Sequence, residues 1–520
     1  MKKRINKIIA AVMAIMMMCA GTSCGSSDMV STSDVYKSAG LTMDAAAYET
    51  NGGIMYEASS EEYEHGADNT FVKTAEHPLS TFSTDVDTAS FTNVRRMLEN
   101  GYTVDPDAVR AEEFINFFKY DYPAPQQGST DKLSIYTELS DCPWNSGSKL
   151  MMIGLQAQEV EVKDIDSNIV FLIDVSGSMY SENKLPLVQQ AFTMLTENLG
   201  QNDRISIVTY AGNDKVELDG ENGGNHDKII GALESLSAGG GTAGAAGINT
   251  AYELAEKYFI EGGNNRVILA TDGDLNIGVS SKEELTELIE SKRDKGIYLS
   301  VLGFGTGNYK DNKLEALADN GNGNYAYIDT LDEARRVLVT EMNGTLFTVA
   351  KDAKVQVEFA PEKVSEYKLV GYENRLLADE DFEDDTKDAG DIGAGQQVTV
   401  LYEIVPVGYE SEKRANSNSG ETVACSLDGI EGKLAGISVR YKERDENESK
   451  LIEASVDSAD FKAPETISDN MKLSCAAAML ASSLRHPENK LSAEFIGSYA
   501  ADLSLDSGEL VKMLEKYKTL

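Results

Sequence analysis

The sequence predicts an α/β protein: a doubly wound, mostly parallel sheet inserted into a β-sandwich, with small helical regions at the N- and C-terminal ends. Three observations carry this. Between residues 164 and 347, strand-like and helix-like segments alternate, as a doubly wound fold requires. Within that block Ile169–Ile173 is apolar at five consecutive positions, which suits a central strand buried on both faces, and Arg266–Thr271 repeats the pattern. Outside it, Leu133–Leu139, Lys149–Gln156, Lys354–Phe359, Tyr367–Gly371, Gln397–Pro406 and Leu434–Tyr441 read as strands with turn signals between them. Strands on both sides of an α/β unit need one another to bury their apolar faces, hence a sandwich split by an insertion.

Both buried strands end in aspartate. Ile173 hands over to Asp174-Val-Ser176-Gly-Ser178, which gathers three small oxygen-bearing side chains on one tight loop. Arg266–Thr271 hands over to Asp272-Gly273, and Gly239-Gly-Gly-Thr242 precedes a helix-like stretch between them. Hard divalent cations take such oxygen ligands, and Mg²⁺ keeps some of its waters. In an open doubly wound sheet, ligands bind outside the carboxyl ends of the strands where the strand order reverses.

Taken together, Asp174-x-Ser176-x-Ser178, Thr242 and Thr271-Asp272-Gly273 resemble the metal-ion-dependent adhesion site of a von Willebrand factor type A domain. The resemblance implies that Asp174, Ser176, Ser178, Thr242 and Asp272 hold Mg²⁺, with Mn²⁺ or Ca²⁺ as alternatives. It implies a Rossmann-like sheet of order 3-2-1-4-5-6, which would set the Asp174 and Asp272 strands side by side; the alternation alone gives no order. It also implies a partner protein that offers a Glu or Asp carboxylate to the ion.

The remaining chain organises around this unit. Residues 1–23 read as an export signal, with Lys2, Lys3, Arg4 and Lys7 ahead of a short apolar core. Thr22-Ser23-Cys24-Gly25 resembles a bacterial lipobox, which makes Cys24 the lipidation site and places the protein on the extracytoplasmic face of a cell membrane; secretion is the alternative. Residues 24–70 are poor in aliphatics and read as a flexible stalk spanning about 35–40 Å. Residues 71–128 read as a helical region, with a helix at Phe91–Asn100 and another capped by Asp105 and opened by Pro106. The sandwich is assigned to 129–163 and 348–446, the type A domain to 164–347, and a C-terminal helical region to 447–520. The two end regions resemble those flanking the type A domain in a family of bacterial surface lipoproteins. In Ser83-x-Asp85-x-Asp87, helix capping outweighs a second metal site.

Charge and chemistry narrow the function. A net charge of −39 over 520 residues argues against nucleic acid and anionic lipid as direct partners. Once the signal is gone, Cys142, Cys425 and Cys475 remain besides Cys24, with no metal-ligand spacing and no deducible pairing. The four histidines are scattered, no lysine or histidine is expected beside the aspartates as a general base, and Gly239–Gly241 lacks the ending of a nucleotide loop. A non-enzymatic, metal-dependent binding protein follows, with an envelope scaffold whose metal only staples loops as the alternative. Two further expectations attach to this reading. Residues 164–347 should fold alone, and Asp272→Ala should relieve like-charge repulsion with Asp174, leaving the cation-free fold unchanged or more stable.

Overall fold

The computed structural model describes residues 61–519, apart from 64–65, 127, 161–164, 242–243, 274–281, 308, 343, 345–346, 410–423 and 445. The export signal, Cys24, most of the stalk and Thr242 lie outside the described residues. No helix among those described is long and apolar enough to cross a membrane.

At the centre stands a six-stranded sheet. Its order is Tyr325–Ile328, Ile297–Phe304, Asn264–Thr271, Ser167–Asp174, Arg204–Tyr210, Asp214–Asn222. All neighbours run parallel except the last pair. Numbered along the chain, this is the 3-2-1-4-5-6 order. Strand Ser167–Asp174 is buried at all eight positions, and its side chains divide between two cores. Ile169, Phe171 and Ile173 meet Val188, Ala191 and Phe192 of the helix Leu185–Thr196, with the Phe171 and Phe192 rings stacked at 4.2 Å. Val170 and Leu172 meet Ile248, Ala251 and Tyr252 of the helix Gly244–Lys257 on the other face. This two-sided burial is why the strand reads as a continuous apolar run. Register completes the arrangement: Ile173 stands opposite Ala270, so Asp174 and Thr271 end adjacent strands at one level and Asp272 follows by one residue.

Two further sheets enclose a single core of Met151, Ile153, Val398, Val400, Val355, Val357, Ile437 and Val439, among others. The strand Lys149–Ala157, before the central unit, pairs antiparallel with Gln397–Pro406, after it. The sandwich is thus closed across the insertion. It also reaches further than the sequence reading. Val72–Lys73 and Leu79–Ser83 join it from the N-terminal region, and Lys450–Asp457 and Phe461–Lys462 join from the stretch read as C-terminal helices. Lys450–Asp457 is an edge strand, largely exposed on alternate positions, and Val72–Lys73 and Phe461–Lys462, of two residues each, are too short to carry a periodic signal.

The two helical ends form one layer. Ala89–Glu99 and Ala111–Asn116 share a core with Asp469–Arg485, Ala493–Ala500 and Gly508–Tyr517, laid over Leu150, Met152 and Leu401 of the sandwich. Asp105 does cap a turn at Pro106, but that turn is a single 3₁₀ segment, Pro106–Ala108, and the helix proper begins at Ala111.

Two buried arginines and one half-buried one tie this layer and the sandwich to the central unit. Arg95 pairs with Asp329 (2.5 Å) and Glu333 (3.0 Å). Arg110 pairs with Glu113 and with Asp311 (2.6 Å). Arg375 pairs with Asp85 (3.2 Å), Glu315 (3.2 Å) and Asp319 (2.7 Å). Asp85 and Asp87 therefore serve neither as caps nor as a free metal cluster. The carboxylates of Asp85, Glu113 and Glu315 do converge, but each is engaged by Arg110 or Arg375. At its start, the described chain is clipped to the same unit. Glu61 accepts a bond from the Gly307 N–H (3.0 Å) and pairs with Arg96 (2.9 Å), while Glu62 pairs with Lys310 (2.7 Å).

Candidate metal centre

Four of the five sequence-derived ligands are described, and the structure brings them to one end of the central sheet. Asp174 closes its strand fully buried, and Ser176 is 1% exposed. The Ser176 N–H donates to Asp174 Oδ1 (2.8 Å), which folds the loop back on the strand end. Ser176 Oγ and Ser178 Oγ lie 3.0 Å apart. Between them the 3₁₀ turn Gly177–Tyr180 is pinned by Met179, which is fully buried in the core beneath. Ser178 itself is exposed, so the loop has a buried side and an open side.

The glycine loop docks against this one. Gly177 N–H donates to Gly240 O (3.2 Å) and Gly239 N–H to Val175 O (2.8 Å). Gly240 sits at φ +88°, where a residue with a side chain would be strained. Thr242 follows two positions later, outside the described residues.

On the adjacent strand Thr271 Oγ1 donates to Asp174 Oδ2 (3.2 Å) and accepts from Gly273 N–H (3.2 Å). Asp174 thus has a fixed donor on each oxygen. Burial pushes its carboxyl up to about 6, against the Ser176 bonds that lower it, and the Asp272 charge adds to the rise. Two carboxylates that raise each other's energy, beside two hydroxyls, form a hard-oxygen donor set that a divalent cation fits.

One residue at the site is absent from the sequence reading. Lys184 Nζ donates to Asp272 Oδ2 at 2.9 Å, with the two side chains 9% and 0% exposed. The expectation that no lysine stands beside the aspartates is therefore corrected. The expected relief on removing Asp272 is thereby opposed by loss of that pair, because the carboxylate has a buried ammonium as partner as well as a like-charged neighbour. Eighty-eight residues separate the pair in sequence, and a lysine in a polar loop gives no signal of burial. Elsewhere Cys142, Cys425 and Cys475 are buried.

The sheet order and this loop set define a von Willebrand factor type A domain protein, a class of protein-interaction domains in general. The family model for the von Willebrand factor type A domain matches residues 168–340, and a model described as von Willebrand factor matches 57–152. The model for the C-terminal part of uncharacterized protein YfbK matches 344–518. Uncharacterized protein YfbK of Escherichia coli (strain K12) is 40% identical over 432 residues, which is 82% of this chain and 74% of that protein. The chain belongs to the YfbK family. Inter-alpha-trypsin inhibitor heavy chain H3 of Homo sapiens is 28% identical over 162 residues, 30% of this chain and 18% of its own. Among solved structures, von Willebrand factor type A from Catenulispora acidiphila is 15% identical with a TM-score of 0.42, covering 75% of this chain and 91% of that one.

Proposed function

We propose that this is an exported binding protein, lipid-anchored through Cys24 on the extracytoplasmic face of the cell membrane. Its type A domain captures an acidic side chain of a partner protein at a divalent cation, Mg²⁺ or else Mn²⁺ or Ca²⁺. Asp174, Ser176, Ser178, Thr242 and Asp272 would hold that ion. Bound there, it would supply a Lewis-acidic position able to take a carboxylate oxygen from outside.

The asymmetry of the loop carries this reading. Asp174, Ser176 and Asp272 are buried behind the site, whereas Ser178 is exposed in front of it. Beside Ser178 stands Tyr180, a large aromatic 84% exposed on a turn that Met179 holds rigid. Tyrosines so placed serve as interface anchors, because they bring contact area at little entropic cost. The described groups at the site are carboxylates, hydroxyls and one ammonium already committed to Asp272.

A pull-down from the native cell surface, run with Mg²⁺ and with chelator, tests the proposal. A partner held in Mg²⁺ should be lost with chelator and equally lost to Asp174→Ala. A partner retained in all three would make the metal a staple and the protein an envelope scaffold.

A further inference from the structure

We infer that Lys184 is a built-in counter-charge that sets the metal affinity of the Asp174–Asp272 centre, holding it below what the two carboxylates would otherwise give. The inference rests on the metal-centre reading above. Lys184 closes the ligand loop and leads directly into the helix Leu185–Thr196, and its backbone is fixed at both ends. Lys184 N–H donates to Ser181 O (2.9 Å), and Lys184 O accepts from Val188 N–H (2.9 Å).

The side chain is seated as firmly. Its stem runs across Gly305, where a Cβ would come within 2.3 Å of Lys184 Cε and 2.4 Å of Cγ. Gly305 is held at φ +76°, and its carbonyl accepts from the buried Tyr327 hydroxyl (2.5 Å). The ammonium is thereby aimed at Asp272 Oδ2, 2.9 Å away, with little access to water. A surface lysine drifting over a carboxylate would need neither the glycine groove nor the burial.

The consequence is electrostatic. Two carboxylates face the centre, and one ammonium offsets half of their charge. A divalent cation bound to Asp272 shares that carboxylate with a fixed positive charge and is repelled by it, in surroundings where screening by water is weak. Removing the ammonium removes the repulsion and leaves both carboxylates to the ion. The same substitution takes the ammonium away from Asp272 when no cation is present. Lys184 therefore exchanges metal affinity for a site that stays ordered without metal.

The test is calorimetric titration of the full-length chain with Mn²⁺ and Mg²⁺, comparing wild type, Lys184→Met and Lys184→Arg. Thermal melts across the same metal series read any variant that is unstable in chelator, since a ligand bound by the folded state alone raises the melting temperature with its concentration. We expect Lys184→Met to bind Mn²⁺ at least about tenfold tighter than wild type, and Lys184→Arg to stay within about twofold of wild type. A wild type that binds with the Met variant equal or weaker overturns the inference and leaves the metal centre standing. Uptake by neither protein overturns both. Uptake by the Met variant alone supports the inference in its strongest form.

Discussion

The pairing of Asp272 with Lys184 makes the cation-free fold depend on a carboxylate that belongs to the candidate metal centre. Asp272→Asn removes the charge, keeps the side-chain shape and opens no cavity, so the loss is electrostatic. It leaves an ammonium that is 9% exposed and opposite a neutral amide. Removing one partner of a buried ion pair costs about 3–5 kcal/mol, because the survivor stays desolvated. Relief of the repulsion felt by Asp174 acts the other way. A net loss of about 2–3 kcal/mol is expected from Asp272→Asn in chelator. Lys184→Met should cost a similar amount, and the double variant should recover much of it, since an amide beside a methionine buries no unpaired charge. The coupling energy of the cycle should be at least about 2 kcal/mol. Urea unfolding in chelator, followed by circular dichroism with a common slope, measures it. A coupling below about 0.5 kcal/mol would refute the argument, as would an Asp272→Asn protein more stable than wild type.

Three other expectations can be checked separately. Tyr180→Ala should weaken partner binding about tenfold, about 1.4 kcal/mol, with Mn²⁺ affinity unchanged; equal loss of metal would assign Tyr180 to the centre itself. Glu112 is fully buried, and burial, followed by the charges of Glu373, Asp85 and Glu113, pushes its carboxyl up to about 8. A folded-state value above the unfolded one means that the folded chain holds the extra proton between them. Stability should therefore fall as pH rises towards about 8, by up to about 1.4 kcal/mol per pH unit. Glu112→Gln should flatten that slope in urea midpoints measured from pH 5 to 9, and an unchanged slope would point to other carboxyls. Cys24→Ser should move the protein from the membrane fraction to the soluble or unprocessed pool, and a processed, membrane-bound mutant would exclude the lipid anchor.

What could be read in the sequence was what repeats with a short period. Gln397–Pro406 has in the structure the limits that its apolar run gave it. It is buried at every position after the first, so no exposed residue blurs its ends. Edge strands lack that constraint. Lys450–Asp457, at an edge, escaped notice because half-exposed residues alternate too weakly, and the inner strand Thr348–Phe359 starts six residues before the reading placed it, its pairing shifting register between Lys351 and Lys354. The ligand loops were legible because small hydroxyls and aspartates at strand ends are unusual in combination. Lys184, Thr271 as a donor to Asp174, and the arginine pairs were not. Each depends on a partner far along the chain: Arg110 meets Asp311 across 201 residues, and Arg95 meets Asp329 across 234. Those arginine pairs also bear on independence of the central unit. A 164–347 fragment would expose Asp311, Glu315, Asp319 and Asp329 without their arginines and leave Glu333 with Arg336 alone, so it should melt below the intact chain.

The clip at Glu61 has a mechanical meaning. Glu61 and Glu62 are held by Arg96, Lys310 and the Gly307 amide, and the strand Val72–Lys73 joins the sandwich only ten residues later. If the chain is tethered through Cys24 as proposed, load would reach first the Arg96 pair and the loop that follows the strand Ile297–Phe304. That loop also contains Gly305, the seat of the Lys184 stem, two residues from the amide that Glu61 grips. The segment that fixes the start of the described chain and the groove that seats the metal-centre lysine are thus neighbours on one short loop.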